Sequence, residues 1–195
     1  MRLRVANFAS KVFNPVLLSL VAVLLVSIST VESVPKALFL SSVILAVGLL
    51  PVYLLALYLV KTGRMDSVFN NSRHQRRGIY ISGIISTLAT ILVISLMDAP
   101  KEIVATLATA LAAGLLFLII NNWWKISIHA AFVTGVAMLL IFIYDWPALI
   151  VVLPLVPLIA WSRVELRQHT AGQVATGVLV AVAIQPSVFY LFGLY

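Results

Sequence analysis

The sequence predicts an all-α, polytopic transmembrane helical bundle of about seven membrane-spanning helices, organised as a single integral-membrane domain over residues 1–195. Three observations predict it. Of 195 residues, 63% are hydrophobic and only 10% are charged. A soluble core of this length cannot bury that much apolar side chain, whereas lipid accepts it on every side of a helix. Apolar runs of about 20 residues, the helical length that crosses a hydrocarbon layer roughly 30 Å thick, recur along the whole chain. The charges fall into the short segments between those runs.

Each run is bounded by charge, proline or asparagine. The Met1 to Lys11 stretch is basic, and the first run, Phe13 to Val31, is too long and too poor in cleavage signals to be a secretory leader. The second runs from Ala37 to Val60, the third from Ile79 to Met97 and the fourth from Ile103 to Ile120. The fifth covers Ser127 to Tyr144, the sixth Trp146 to Trp161 and the last Gly172 to Leu194. The sixth is short and carries Pro147, Pro154 and Pro157, which predicts a kink whose freed carbonyls are met by neighbouring helices rather than by lipid. No internal repeat, low-complexity tract or linker divides the chain.

Seven crossings alternate sides, so every charge is assigned to a face. The amino-terminal face collects Arg2, Arg4, Lys11, Lys61, Arg64, Arg73, Arg76, Arg77, Lys125, Arg163 and Arg167 against only Asp66 and Glu165. The opposite face holds Lys36 and Lys101 against Glu32, Asp98, Glu102 and Asp145. Excess Lys and Arg marks the cytoplasmic side, so the amino terminus and the basic face are predicted to be cytoplasmic. Trp123, Trp124 and Trp161 fall near that boundary and Trp146 near the other, as an aromatic belt requires. The net charge of +7 points to anionic partners, with membrane lipid head groups first and nucleic acid excluded by the membrane composition. With no cysteine in the chain, disulfides, thiol nucleophiles and thiolate-ligated metals drop out.

His74, His129 and His169 all fall on the basic face, although no topology rule draws histidine there. Clustered cations, hydroxyls and helix amino termini recognise phosphoryl groups, because full charges and forked N–H donors match a tetrahedral anion. Three stretches concentrate this chemistry, within residues 61–80, 121–130 and 162–174. In the last, His169 and Gln173 stand one helical turn apart, so the Gln173 amide oxygen is placed to accept from an imidazole N–H. That fixes one tautomer and leaves the lone pair a nucleophile needs on the other nitrogen. In the middle stretch Lys125, Ser127 and His129 open the fifth helix, with Ser127 positioned to donate to a phosphoryl oxygen and His129 to act as general acid. The loop from Asn70 to Arg77 adds Arg73, Arg76 and Arg77.

Together these elements resemble the type-2 phosphatidic acid phosphatase superfamily of membrane lipid phosphatases, over about Lys61 to Val180. Ser162, Arg163 and His169 stand at the spacing of that family's SRxxxxxH, and His169 to Gln173 at the spacing of its HxxxD. Ser127 and His129 occupy the Ser and His of its PSGH. The first motif, KxxxxxxRP, is absent, since Phe69 and Asn70 precede Arg76 and Arg77 by seven residues and neither arginine is followed by proline. The closing acid is Gln173, which orients the imidazole without adding charge. The resemblance implies hydrolysis of a lipid monophosphate or diphosphate, of isoprenoid or phosphatidate type, without metal or other cofactor. In that scheme His169 forms a phosphohistidine, His129 protonates the leaving alkoxide, and Arg163, Ser127 and one or more of Arg73, Arg76 and Arg77 hold the phosphate; Lys125, outside the family's motifs, is read from its place beside Ser127 as an interfacial cation that adds its field to the phosphate.

Three other classes stand beside this one. A catalytically silent phospholipid-binding or structural protein keeps the scaffold without turnover, and Gln173 and the altered arginine loop favour it. A lipid transferase needs aspartate-rich metal motifs, which the sequence lacks, and a transporter needs charges in mid-span, which it also lacks.

Overall fold

Each apolar run of the sequence is helical in the computed structural model, which describes residues 1–68 and 72–194. Among the described residues there is no strand. The helices are α1 (Arg2–Val12), α2 (Pro15–Thr30), α3 (Val34–Ile44), α4 (Leu50–Lys61), α5 (Arg77–Ser95), α6 (Lys101–Ile120), α7 (Ile128–Tyr144), α8 (Leu149–Glu165) and α9 (Ala171–Leu191). A π turn over Leu45–Leu49 joins α3 to α4, and single 3-10 turns over His74–Arg76 and Trp146–Ala148 lead into α5 and α8. Among the described residues, five continuous stretches are long and apolar enough to cross a membrane: Val34–Lys61, His74–Ser95, Lys101–Ile120, Trp146–Glu165 and Ala171–Leu191. The pair α1 and α2, bent by 46°, makes a sixth if taken as one span, and α7 is a shorter apolar helix of 17 residues. The architecture is compatible with a multi-pass integral membrane protein.

Local chemistry explains the breaks. Asn14 ends α1 and starts α2: its Nδ2 donates to the Lys11 carbonyl at 2.7 Å while its Oδ1 accepts from the backbone of Val16 and Leu17 at 3.0 and 3.1 Å. One side chain thus caps two helix ends, and Pro15 needs no N–H at the first helical position. The π turn lies just ahead of Pro51, where the missing N–H and the ring disturb the helical ladder. In α8 the helix runs through Pro154 and Pro157, and both lie on its exposed face. Ile150 and Leu153, four residues earlier, are exposed as well, so the carbonyls that lose a partner belong to outward-facing residues rather than to a helix-packed face.

The chain forms two compact units. The first comprises Met1–Ala22 with Lys125–Pro186, and the second Val23–Trp124 with Ser187–Tyr195. In the first unit α1 and α7 both pack on α8. Its core joins Ala9, Leu18, Val133, Val136 and Ile159, with Phe13, Leu140 and Leu155 against them. α7 is buried along most of its length, and Gln185 of α9 reaches it inside the unit. With the Gln185 carboxamide oriented to suit its neighbours, its nitrogen donates to the Gly135 carbonyl at 2.9 Å and its oxygen accepts from the Leu139 N–H at 3.2 Å. Packing of small residues and such polar clamps substitute for the hydrophobic drive that lipid removes.

In the second unit α5 packs on α6 and on the π turn. Gly48 of that turn lies so close to Thr90 that a Cβ would stand 2.9 Å from its Oγ1. The Lys101 Nζ at the start of α6 donates to the Gly193 carbonyl at 3.1 Å.

Candidate functional site

The site is built where α8 stops and α9 starts. At the end of α8 the Arg167 N–H donates to the Val164 carbonyl at 2.9 Å, and the Gln168 N–H donates to the Arg163 carbonyl at 3.1 Å. This pair of bonds is the helix stop that places its turning residue in the left-handed region. The turning residue is Arg167, with φ of 52°. α4 and α9 end with the same hydrogen-bond pattern, but there the turning residues are Gly63 and Gly193, with φ of 70° and 64°. An L side chain in this conformation costs roughly 1–2 kcal/mol relative to the right-handed form, and glycine avoids it.

The same turn delivers His169, whose N–H also donates to the Arg163 carbonyl, at 3.3 Å. α9 then opens on a reciprocal cap. The Gln173 N–H donates to Thr170 Oγ1 at 3.3 Å, and the Thr170 N–H donates to Gln173 Oε1, also at 3.3 Å. Thr-x-x-Gln is the sequence form of this capping box.

Gln173 does a second job. The Nδ1 of His169 lies 3.1 Å from Gln173 Oε1 and 3.2 Å from the Lys125 carbonyl oxygen. Because Oε1 already accepts from Thr170, both neighbours of Nδ1 are acceptors, so Nδ1 carries the proton and donates to them. The lone pair of the neutral imidazole is therefore on Nε2.

Two stretches of sequence meet here. Beside the bond from His169 to Lys125, the Ser127 N–H donates to the Gln173 carbonyl at 3.1 Å. Further along α9, a Cβ on Gly177 would stand only 2.6 Å from the Ser127 carbonyl and 3.4 Å from the Ala131 nitrogen. The missing side chain is what lets α9 lie against the start of α7.

An open cleft of about 440 Å³ lies at this junction. Lys125, Arg167, His169 and Gln173 line it together with Gln168, Thr170 and Val164, and none of these is acidic. The structure thus brings Lys125, His169 and Gln173 of the sequence-identified residues to one cleft. It places three others elsewhere in the same unit. Arg163 is 1% exposed and its Nη1 donates to Ser10 Oγ of α1 at 2.5 Å. Ser127 is fully buried, and its Oγ caps α7 by accepting from the Ala130 N–H at 3.4 Å. His129 is buried in the first turn of α7.

The arginine loop belongs to the second unit. Asn70 and Asn71, and Phe69 before them, lie outside the described residues. Arg76 is buried, with its guanidinium beside the hydroxyl of Tyr80, whereas Arg77 and His74 are exposed and Arg73 is half-buried. The Arg73 carbonyl accepts from Asn121 Nδ2 at 3.0 Å, and Gln75 ties Ser72 to Asp66. Among the described residues no three His, Asp or Glu side chains gather closely enough to hold a metal ion.

Sequence reasoning missed Arg167, Gln168 and Thr170. Thr170 is signalled by the Thr-x-x-Gln pattern, but nothing local marks Arg167, whose place depends on where α8 stops. Compared with family models, curated proteins and solved structures, the chain matches none.

Proposed function

We propose that this protein binds the phosphate of a membrane lipid in the His169 cleft and hydrolyses it through a phosphohistidine, the substrate being a lipid monophosphate or diphosphate whose apolar tail stays in the bilayer. The observation that carries the reading is the pair of acceptor oxygens, Gln173 Oε1 and the Lys125 carbonyl, beside His169 Nδ1, an arrangement that favours the proton on Nδ1 and the lone pair on Nε2, at a cleft whose lining includes Lys125 and Arg167 and no acidic residue. Nε2 attacks phosphorus as the bond from phosphorus to the lipid oxygen breaks. His129 is buried in α7 outside the cleft lining, so the departing oxygen takes its proton from water, and a further water then cleaves the N–P bond, releasing phosphate and restoring the imidazole. Lys125 meets the phosphoryl charge, and side chains and water alone carry the step. The same reading takes the chain across the membrane seven times, with α7 as a full span and the cleft on the cytoplasmic side.

A second reading, lipid-phosphate binding without turnover, is favoured by a separate set of observations. Ser127 and Gln173 serve as helix caps, Arg163 is buried against Ser10, and no acidic residue lines the cleft. Purified protein in lipid nanodiscs, given phosphatidate or a prenyl diphosphate with and without a chelator, separates the two. Hydrolysis requires phosphate release that survives chelation and vanishes in His169→Ala. Tight binding with no release establishes the second reading.

A further inference from the structure

The cleft contains a cation that the resemblance gives no role, and its backbone is unusual. Arg167 occupies the left-handed turning position at the end of α8, where the matching ends of α4 and α9 use glycine and the end of α5 uses Asp98, whose short side chain tolerates that conformation better than a long one. Glycine performs the structural task of ending a helix at lower conformational cost. Arginine contributes nothing to that task that glycine lacks, but it contributes a long side chain that lines the cleft alongside Lys125 and His169. Arg163 is directed to Ser10 instead and is not among the cleft-lining residues.

We propose that Arg167 and Lys125 form a two-cation seat for a terminal, doubly charged phosphoryl group, with Arg167 as the principal phosphate-binding arginine of the cleft. The inference rests on the phosphate-binding half of the proposed function and is independent of hydrolysis. Its chemistry follows from the side chains. A guanidinium fork and an ammonium together match a dianion far better than a singly charged phosphodiester. Lys125 lines the same cleft and its carbonyl accepts from His169, so one residue both orients the imidazole and brings a cation to the site. The seat therefore selects lipids ending in a phosphomonoester or diphosphate over phosphodiester head groups.

The left-handed backbone makes the test sharp. Arg167→Gly removes the cation and eases the turn, so a structural residue and a binding residue give opposite results. Full-length protein in phosphatidylcholine nanodiscs is titrated with inorganic phosphate, and in a second arm phosphatidate or phosphatidylglycerol is included in the disc. Phosphatidate is expected to bind at least about tenfold more weakly to Arg167→Gly than to the parent, with a thermal midpoint equal or higher, while Arg167→Lys stays within about threefold. Binding of phosphatidate alone identifies the head group as the ligand, and binding of inorganic phosphate as well identifies the phosphoryl group itself.

Undiminished phosphatidate binding by Arg167→Gly overturns the inference. So does equal affinity for phosphatidylglycerol, or a loss of binding accompanied by a fall in midpoint. Arg167-dependent binding without phosphate release upholds the seat and defeats hydrolysis. Release that is indifferent to Arg167 does the reverse.

Discussion

Gln173 carries four hydrogen bonds of the site at once: its N–H and Oε1 close the cap with Thr170, the same oxygen holds His169 Nδ1, and its carbonyl accepts from the Ser127 N–H. Loss of a helix cap costs about 0.5–2 kcal/mol, so Gln173→Leu is expected to lower the thermal midpoint and, by releasing the imidazole, to reduce turnover by at least about tenfold. Gln173→Glu keeps the acceptor oxygen and is expected to keep the midpoint. Nitrogen NMR of selectively labelled histidine checks the underlying geometry, with a protonated Nδ1 and bare Nε2 in the neutral ring expected of His169. The pairing of His169 with Gln173 is legible in the sequence, because one helical turn fixes the distance between them. The burial of Arg163 is not. Its partner Ser10 lies 153 residues away in sequence, and no spacing rule reports a contact between the first helix and the eighth. Arg167 is hidden for a related reason, since its exposure to the cleft is set by where the α8 hydrogen-bond ladder ends and not by its sequence neighbours.

At the scale of elements, the site depends on α9 lying directly against the start of α7. Gly177 faces backbone there, with a Cβ only 2.6 Å from the Ser127 carbonyl, and backbone has little room to yield. Gly177→Ala is therefore expected to destabilise the protein by about 1–3 kcal/mol and to pull apart the two stretches that hold His169, lowering thermal midpoint and phosphate binding together. Gly83, which a Cβ would leave without a heavy-atom contact within 4 Å, serves as the control, and Gly83→Ala is expected to leave both unchanged. The helices themselves are legible because a chain in lipid must satisfy its backbone internally and show apolar side chains over a membrane's thickness. Their ends are less so. The first run is read as starting at Phe13, yet the amphipathic stretch before it is helical too, and the break at Asn14 comes from side-chain capping that hydropathy does not register.

For the whole molecule, the distribution of charge predicts topology. Because the sequence has no cysteine, single cysteines report sidedness without background. Substitutions beside Arg77, Lys125 and Arg167 are expected to resist a membrane-impermeant thiol reagent added outside intact cells, and substitutions beside Lys101 and Asp145 to react with it. Labelling of the Lys125 and Arg167 positions from outside would reverse the orientation. The discontinuous pairing of residues 1–22 with residues 125–186 in one unit is invisible to a linear reading, because apolar runs all look alike to lipid. What separates them is small-residue contact and polar clamping, such as Gly177 on Ser127 and Gln185 on the α7 backbone.

The central claim is that His169 becomes covalently phosphorylated. Rapid quenching of the protein with a lipid phosphate, under alkaline conditions that preserve phosphohistidine, followed by peptide mass spectrometry, tests it directly. A phosphoryl group on His169, absent without lipid and absent from His129, is the result expected. Phosphate release with His169 unmodified, or undiminished in His169→Ala, would contradict it.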